Sequence, residues 1–231
     1  MIHPLGAWVL ERACAAARSS CTRGAHPLTL SVNVSALQVN QDFDSIIREC
    51  VKNTGFPVKQ LELEITESAL IKDMELTIEC LNRWKELGVQ IALDDFGSGH
   101  SSFNYLSRLP VDRLKVDQSL VHRIAVDRKS AIVLRSILEL GAELAIDVLA
   151  EGVETEQQLQ MLTDLGCPRA QGYLLGRPMP ALQAQLTLRK PWGNRPTATS
   201  SSKAPGSCRR RCGVAAGSGS LKMERYSEGT A

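Results

Sequence analysis

What most constrains this chain is a regular alternation of short aliphatic runs with longer segments of helical spacing. Runs at residues 28–34, 61–66, 90–94, 113–117, 147–151 and 170–173 have the length and the β-branched content of buried strands. Between them, residues 43–53, 74–87, 129–144 and 156–165 repeat apolar side chains at the 3.6-residue spacing of helices. Gly88 and Gly166 stand where two of those helices should stop. Such alternation builds βα units around a parallel sheet.

Polar residues decide between an open sheet and a barrel. Asn33, Glu64, Asp94 with Asp95, Lys115, Glu151 and Gln171 fall at or near the carboxyl ends of the six runs. In a parallel barrel those ends meet at one mouth, whereas an open sheet gathers its ligands at one switch point and usually carries a glycine-rich phosphate loop, absent here. The expectation is an α/β fold of the (β/α)8 TIM-like barrel class. It should be incomplete, because only six strands are legible and the chain opens in a helix at residues 8–18. About two strands are expected to be missing from the amino-terminal side.

Charge divides the chain in two. From Arg189 onward there are nine Lys/Arg against two Glu, so the overall net of +2 leaves −5 on residues 1–188. An acidic body argues against a nucleic-acid polymer as partner and suits divalent cations in a cleft. Residues 189–231 are rich in Ser, Gly, Pro and Arg without apolar periodicity, which reads as a disordered basic tail following a 1–188 domain. Seven cysteines without a Cys-x-x-Cys pair suggest free thiols in a reducing cytosol. No run of about 18 apolar residues and no basic leader occurs, so a cytoplasmic chain without a membrane segment is expected.

The mouth carries the chemistry. Glu64, Asp94, Asp95 and Glu151, joined by the amide oxygen of Asn33, are hard oxygen donors that select Mg²⁺ or Mn²⁺ over softer metals. Adjacent Asp94 and Asp95 can serve two metals, the arrangement that clamps a phosphodiester displacement. Lys115 adds a fixed charge or a donor to water. One strand-end carboxylate is usually a cap or a surface charge; five oxygen donors on converging strands are not. After Asp95, Gly97, Ser98 and Gly99 form a loop that permits positive φ and close approach to phosphate. Glu67 either anchors that loop or caps the following helix.

The motifs Ser31-Val-Asn-Val-Ser35, Glu64-Ile-Thr-Glu67, Asp94-Asp-Phe-Gly-Ser-Gly99, Lys115-Val-Asp117, Ala150-Glu-Gly-Val-Glu-Thr155 and Gln171-Gly-Tyr173 occur in order, within residues 8–180. In these the chain resembles the EAL domain family of cyclic-di-GMP-specific phosphodiesterases. The resemblance implies a barrel that hydrolyses cyclic di-GMP to linear pGpG with two Mg²⁺ or Mn²⁺ per site. It implies Asn33, Glu64, Asp94 and Asp95 as metal ligands, with Asp95 also counted in the catalytic group. Glu151 is implied as the second metal's ligand or as the group that helps deprotonate water, and Lys115 as the residue holding that water. Glu67 is similar to the anchor of the Asp-Asp-Phe-Gly loop. Glu154 and Gln171, with Asp117 of the Lys-Val-Asp motif, are similar to supporting residues. Partners implied are cyclic di-GMP, a second copy in a homodimer, and fused sensory or GGDEF domains in a longer parent protein.

The Glu-Ala-Leu tripeptide that names the family is absent. In the family its Glu is a metal ligand, and a nearby Arg grips a phosphate, both on an early strand. His100 and Phe103 replace the usual aromatic or apolar residue and Leu. Three readings follow: a phosphodiesterase impaired in this chain, a non-catalytic cyclic-di-GMP receptor or scaffold, and a remnant without a stable fold.

Overall fold

The computed structural model describes residues 2–21, 28–40, 42–70, 73–98, 103–188, 213–217 and 220–226. The first element is α1 (Ile2–Cys21), which leads to β1 (Thr29–Asn33) and α2 (Phe43–Thr54). Next come β2 (Leu61–Thr66), the single turn α3 (Glu67–Leu70), α4 (Met74–Glu86) and β3 (Gln90–Phe96). They are followed by β4 (Arg113–Val116), α5 (Gln118–Arg123), α6 (Arg128–Glu143) and β5 (Asp147–Ala150). The last units are α7 (Glu156–Asp164), β6 (Arg169–Gln171) and α8 (Ala181–Leu188), then β7 (Gly213–Gly217) and β8 (Ser220–Tyr226).

Strands β1 to β6 are the six expected, and each pairs in parallel with the next. The α/β barrel reading therefore holds. Both faces of such strands are covered, so β2 is buried along Leu61–Ile65 although two of its residues are glutamates. Helices α5 and α8 escaped the sequence reading: α5 is under two turns long, and the eight residues of α8 intersperse apolar and polar side chains without one clear apolar face.

The carboxyl-terminal segment differs from expectation. Residues 189–212 lie outside the described residues, but the backbones of β7 and β8, within the stretch expected to be irregular, pair as an antiparallel hairpin. β8 runs antiparallel to β6 and β7 parallel to β1, closing the ring in the order β1-β2-β3-β4-β5-β6-β8-β7. The physical reason lies in the edges. β1 and β6 would otherwise present rows of unpaired N–H and C=O groups, and any backbone can satisfy them whatever its composition. Leu221 and Met223 alternate with Lys222 and Glu224, a period-two pattern that the surrounding Ser, Gly and Arg obscure.

Outside the barrel wall the core is mostly aliphatic, as few aromatics require. Its largest members are Trp84 of α4 and Phe43 of α2, whose ring centroids lie 5.3 Å apart at 52°. Several helix starts carry side-chain caps. Asp73 accepts from the Leu76 N–H at the head of α4, and Asp127 from Lys129 and Ser130 at α6. Thr155 forms a capping box with Gln158 at α7. Among the described residues, no helix is long and apolar enough to cross a membrane.

Candidate active site at the barrel mouth

Register places the predicted donors at one end of the barrel. Asn33 of β1 stands opposite Glu64 of β2, and Thr66 opposite Asp94 of β3. Lys115 of β4 stands opposite Leu149 of β5, two residues before Glu151. Because side chains alternate along a strand, Glu62 and Glu64 share one face, as do Arg113 and Lys115. These faces meet inside the barrel as two charged tiers.

The upper tier centres on Lys115. Its ammonium, almost wholly buried, lies 2.9 Å from Glu64, 2.9 Å from Asp94 and 3.0 Å from Glu151. Three carboxylates gathered within reach of one nitrogen would repel one another without it. Burial opposes the charge on Lys115, but Glu64, Glu151 and Asp94 together raise its pKa well above the usual lysine value. Burial pushes the Glu151 carboxyl up to about 7, with help from Asp94 and Glu64 and against the pull of Lys115. Three carboxylates and one ammonium leave a formal charge of −2 when all are ionised.

Strand β3 is built to aim its two aspartates apart. Its pairing with β4 slips between Leu93 and Phe96, and Asp95 adopts φ 57°. That left-handed conformation is uncommon outside glycine, and Asp tolerates it through local hydrogen bonds. Here the Asp95 N–H donates to its neighbour Asp94 at 3.1 Å, while Ser98 Oγ donates to the Asp95 carbonyl at 2.8 Å. Phe96 is fully buried, so the kink is pinned by an aromatic anchor directly after it. Gly97 continues the turn at φ 88°. Gly99 lies outside the described residues.

Beside the cluster is a cleft of about 270 Å³. Of the predicted residues, Asp94, Asp95, Asp117, Glu151, Glu154 and Gln171 line it. Asp117 also caps α5 by accepting from the Ser119 N–H at 3.0 Å. Gln171 is buried, and among the described residues its Oε1 has no hydrogen-bond partner. Glu154 is exposed, and it is its backbone N–H that Gln158 holds, at 2.9 Å. Glu67 is not among the cleft-lining residues: it accepts from the Tyr105 hydroxyl at 2.7 Å. Tyr105 lies in the 3-10 turn Phe103–Arg108 after the glycine loop, so Glu67 anchors the far end of that segment.

Several contributors were not foreseen. The lower tier joins Ser31, which donates to Glu62 at 2.6 Å, and Arg113, which reaches the same carboxylate at 2.8 Å. Asp147 links Arg113 to Arg169. Its signal was present as charged residues two positions before Glu64, Lys115 and Gln171, a spacing that puts them on the same face. Tyr173 and Pro178 complete the cleft wall, with the Arg177 guanidinium 4.7 Å from the Tyr173 ring centroid. Tyr173 stood in the Gln171-Gly-Tyr173 motif without a role assigned to it, and nothing in the sequence singled out Pro178.

For metal binding the donor chemistry fits. Glu64, Asp94, Asp95 and Glu151 are hard oxygens, and the residual −2 around Lys115 is what one divalent cation would balance. Among the described residues no three His, Cys, Asp or Glu side chains form a ready cage; the carboxylates converge on the ammonium instead.

Comparisons with known proteins show the family. Residues 1–178 match the EAL domain family, and the chain belongs to it. The cyclic di-GMP phosphodiesterase NbdA of Pseudomonas aeruginosa is 40% identical over 190 residues, covering 82% of this chain and 24% of that protein. The solved MucR phosphodiesterase of the same organism, in complex with c-di-GMP, is 40% identical with a TM-score of 0.75, over 79% of this chain and 74% of that one. A manganese and cyclic-di-GMP complex of Klebsiella pneumoniae BlrP1 is 26% identical with a TM-score of 0.68, over 74% of this chain and 43% of that one. The chain spans about a quarter of the length of the curated relatives it matches.

Proposed function

We propose that this domain is a cytoplasmic phosphodiesterase of bacterial second-messenger signalling, which hydrolyses cyclic di-GMP to linear pGpG with two Mg²⁺ or Mn²⁺. The observation that carries the reading is the convergence of Glu64, Asp94 and Glu151 on Lys115, beside a cleft that Gln171 and Asp117 also line. Asn33, Glu64, Asp94, Asp95 and Glu151 would hold the metals, whose chemistry is to polarise the phosphodiester and neutralise developing charge. Lys115 orients the attacking water through its ammonium, and Glu151, in contact with that ammonium, receives the water's proton. Glu67, through Tyr105, steadies the loop that starts at Gly97 and Ser98. Glu154 and Gln171 support substrate at the rim. Homodimerisation and fusion to sensory or GGDEF domains belong to the same reading.

Turnover in this chain is expected to be low. It supplies no Glu-Ala-Leu glutamate, so one ligand position is left to water, which can fill it but not its charge. Loss of a phosphate-gripping Arg removes a charge-assisted hydrogen bond, about 1.5–3 kcal/mol. A second reading is a cyclic-di-GMP receptor that keeps the same cleft without turnover.

Both are tested by incubating the purified chain with cyclic di-GMP and Mg²⁺ or Mn²⁺, with Ca²⁺ and with excess chelator, while measuring pGpG and dinucleotide binding. Slow, chelator-sensitive formation of pGpG is expected, with Ca²⁺ a poor substitute. Binding with no pGpG selects the receptor. Undiminished turnover in chelator removes the metal chemistry, and failure to bind at all removes both readings.

A further inference from the structure

We infer that His122 is a positioning residue for Glu151: from α5 it ties down the Gly152 carbonyl, and so fixes where the Glu151 carboxylate stands beside Lys115. His122 acts within the phosphodiesterase reading, on which its effect on turnover rests. It lies outside every motif that marks the mouth. β5 ends at Ala150, so Glu151 stands beyond the last strand residue and depends on what holds the chain to either side. Its own N–H donates to the Val116 carbonyl of β4 at 3.1 Å, and the Val153 N–H donates to the Gln171 carbonyl at 3.0 Å. Between these two lies Gly152, whose carbonyl is held by a side chain. His122 Nε2 meets it at 3.0 Å, and because a carbonyl only accepts, that nitrogen carries the proton and donates.

The contact forms because α5 meets Gly152 at two points. Gln118 and His122 stand four residues apart, on one face of the helix. Gly152 adopts φ 72°, in the left-handed region that favours glycine. A Cβ there would stand 2.4 Å from the Gln118 Cβ and 3.2 Å from the Gln118 Cα. The chain therefore passes close enough to α5 for an imidazole one turn further along to reach the carbonyl. A side chain at position 152 would hold it away.

One βα unit supplies both sides of this geometry. β4 carries Lys115, whose ammonium lies 3.0 Å from Glu151, and Asp117 caps α5 directly after it by accepting from the Ser119 N–H at 3.0 Å. α5 thus starts at a fixed offset from Lys115, and His122 passes that offset on to the backbone beside Glu151. His122 itself is exposed, so replacing its ring opens no cavity in the core. Its loss should disturb the aim of one carboxylate and leave the stability of the fold unaltered.

The experiment compares the full chain with His122→Ala and with His122→Gln, whose side-chain amide can still donate to the carbonyl. In the metal-free protein the readouts are the melting temperature and the carboxyl ¹³C resonance of Glu151 at one fixed pH, assigned with Glu151→Gln. Expected are equal melting temperatures, a displaced Glu151 resonance in His122→Ala and a parent-like one in His122→Gln. With Mn²⁺ and cyclic di-GMP, His122→Ala should lower kcat roughly tenfold at unchanged KM, short of the ~100-fold that a 1 Å misplacement can cost. His122→Gln should recover most of that loss. A Glu151 resonance indifferent to both substitutions overturns the inference, whatever the turnover. So does a displacement that His122→Gln fails to restore, since the hydrogen bond is then not what positions Glu151. A rise in KM with kcat intact would make His122 a substrate-binding residue and overturns it too. A parent chain that forms no pGpG counts against the phosphodiesterase reading alone, because the resonance is read without metal or substrate.

Discussion

Lys115 stabilises this domain by standing among charges that could not otherwise be buried together. Glu64, Asp94 and Glu151 all lie within 3.0 Å of its ammonium, so removing the cation while keeping the carboxylates leaves like charges in a poorly solvated space. In the metal-free chain Lys115→Met should lose about 3–5 kcal/mol in urea unfolding, the usual penalty for breaking a buried pair from one side. Saturating Mn²⁺ should recover part of that loss, because the same carboxylates then face another cation. A loss that Mn²⁺ leaves untouched would separate the cluster from metal binding. The Tyr105 hydroxyl makes a narrower contribution. Tyr105→Phe removes one hydrogen bond to the Glu67 carboxylate, and should cost about 1.5–3 kcal/mol by thermal or urea melting, with proteolysis after residue 98 becoming faster. Unaltered cleavage there would mean that Glu67 does not steady the loop. Residue identity made Glu64, Asp94, Asp95 and Glu151 legible, since carboxylates at strand ends are chemically unusual. It could not show that Lys115 sits at their focus, because that requires knowing how far β2, β3 and β5 lie from β4.

At the scale of elements, the site depends on how β5, β6 and α7 meet. The Val153 N–H donates to the Gln171 carbonyl at 3.0 Å, and the Leu174 N–H donates back to the Val153 carbonyl at 3.0 Å. Gly172 lies between them, and a Cβ there would stand 2.2 Å from both the N and the O of Val153. Gly172→Ala should therefore force the two loops apart, destabilise by roughly 1–3 kcal/mol and release Gln171 from the cleft. Thermal melting together with cyclic-di-GMP binding checks this, and a variant that binds and melts like the parent would show that the loops can separate freely. The capping box at α7 gives a cleaner, smaller effect. Thr155→Ala loses the acceptor for the Gln158 N–H at 3.2 Å and should cost about 1 kcal/mol, without altering ligand binding. Helices of nine residues or more were readable from their 3.6-residue pattern. α3, α5 and α8 were not, because one or two turns make no visible period and tertiary packing alone holds them.

On the scale of the whole molecule, the barrel is a ring whose closure joins distant parts of the chain. β1 and β6 meet through β7 and β8, so the carboxyl-terminal hairpin protects two edges at once. A chain ending at Leu188 should melt at lower temperature and aggregate more readily in light scattering, because both edges then lack hydrogen-bond partners. Coincident melting curves for the two chains would show that closure adds nothing to stability.

The sequence by itself determined the fold class and named the residues of the candidate site. Alternating βα periodicity specifies a parallel sheet, and the strand ends carrying oxygen donors, a lysine and an amide mark out the candidate mouth. These are local properties, written in residue type and spacing. Tertiary structure alone decided which charges neutralise one another, the pairing of Arg113 with Glu62 beneath Lys115, and the closure by a segment whose composition reads as irregular. Each depends on distance between residues far apart in sequence, and backbone pairing at an open edge is indifferent to side-chain composition. Periodicity carries neither kind of information.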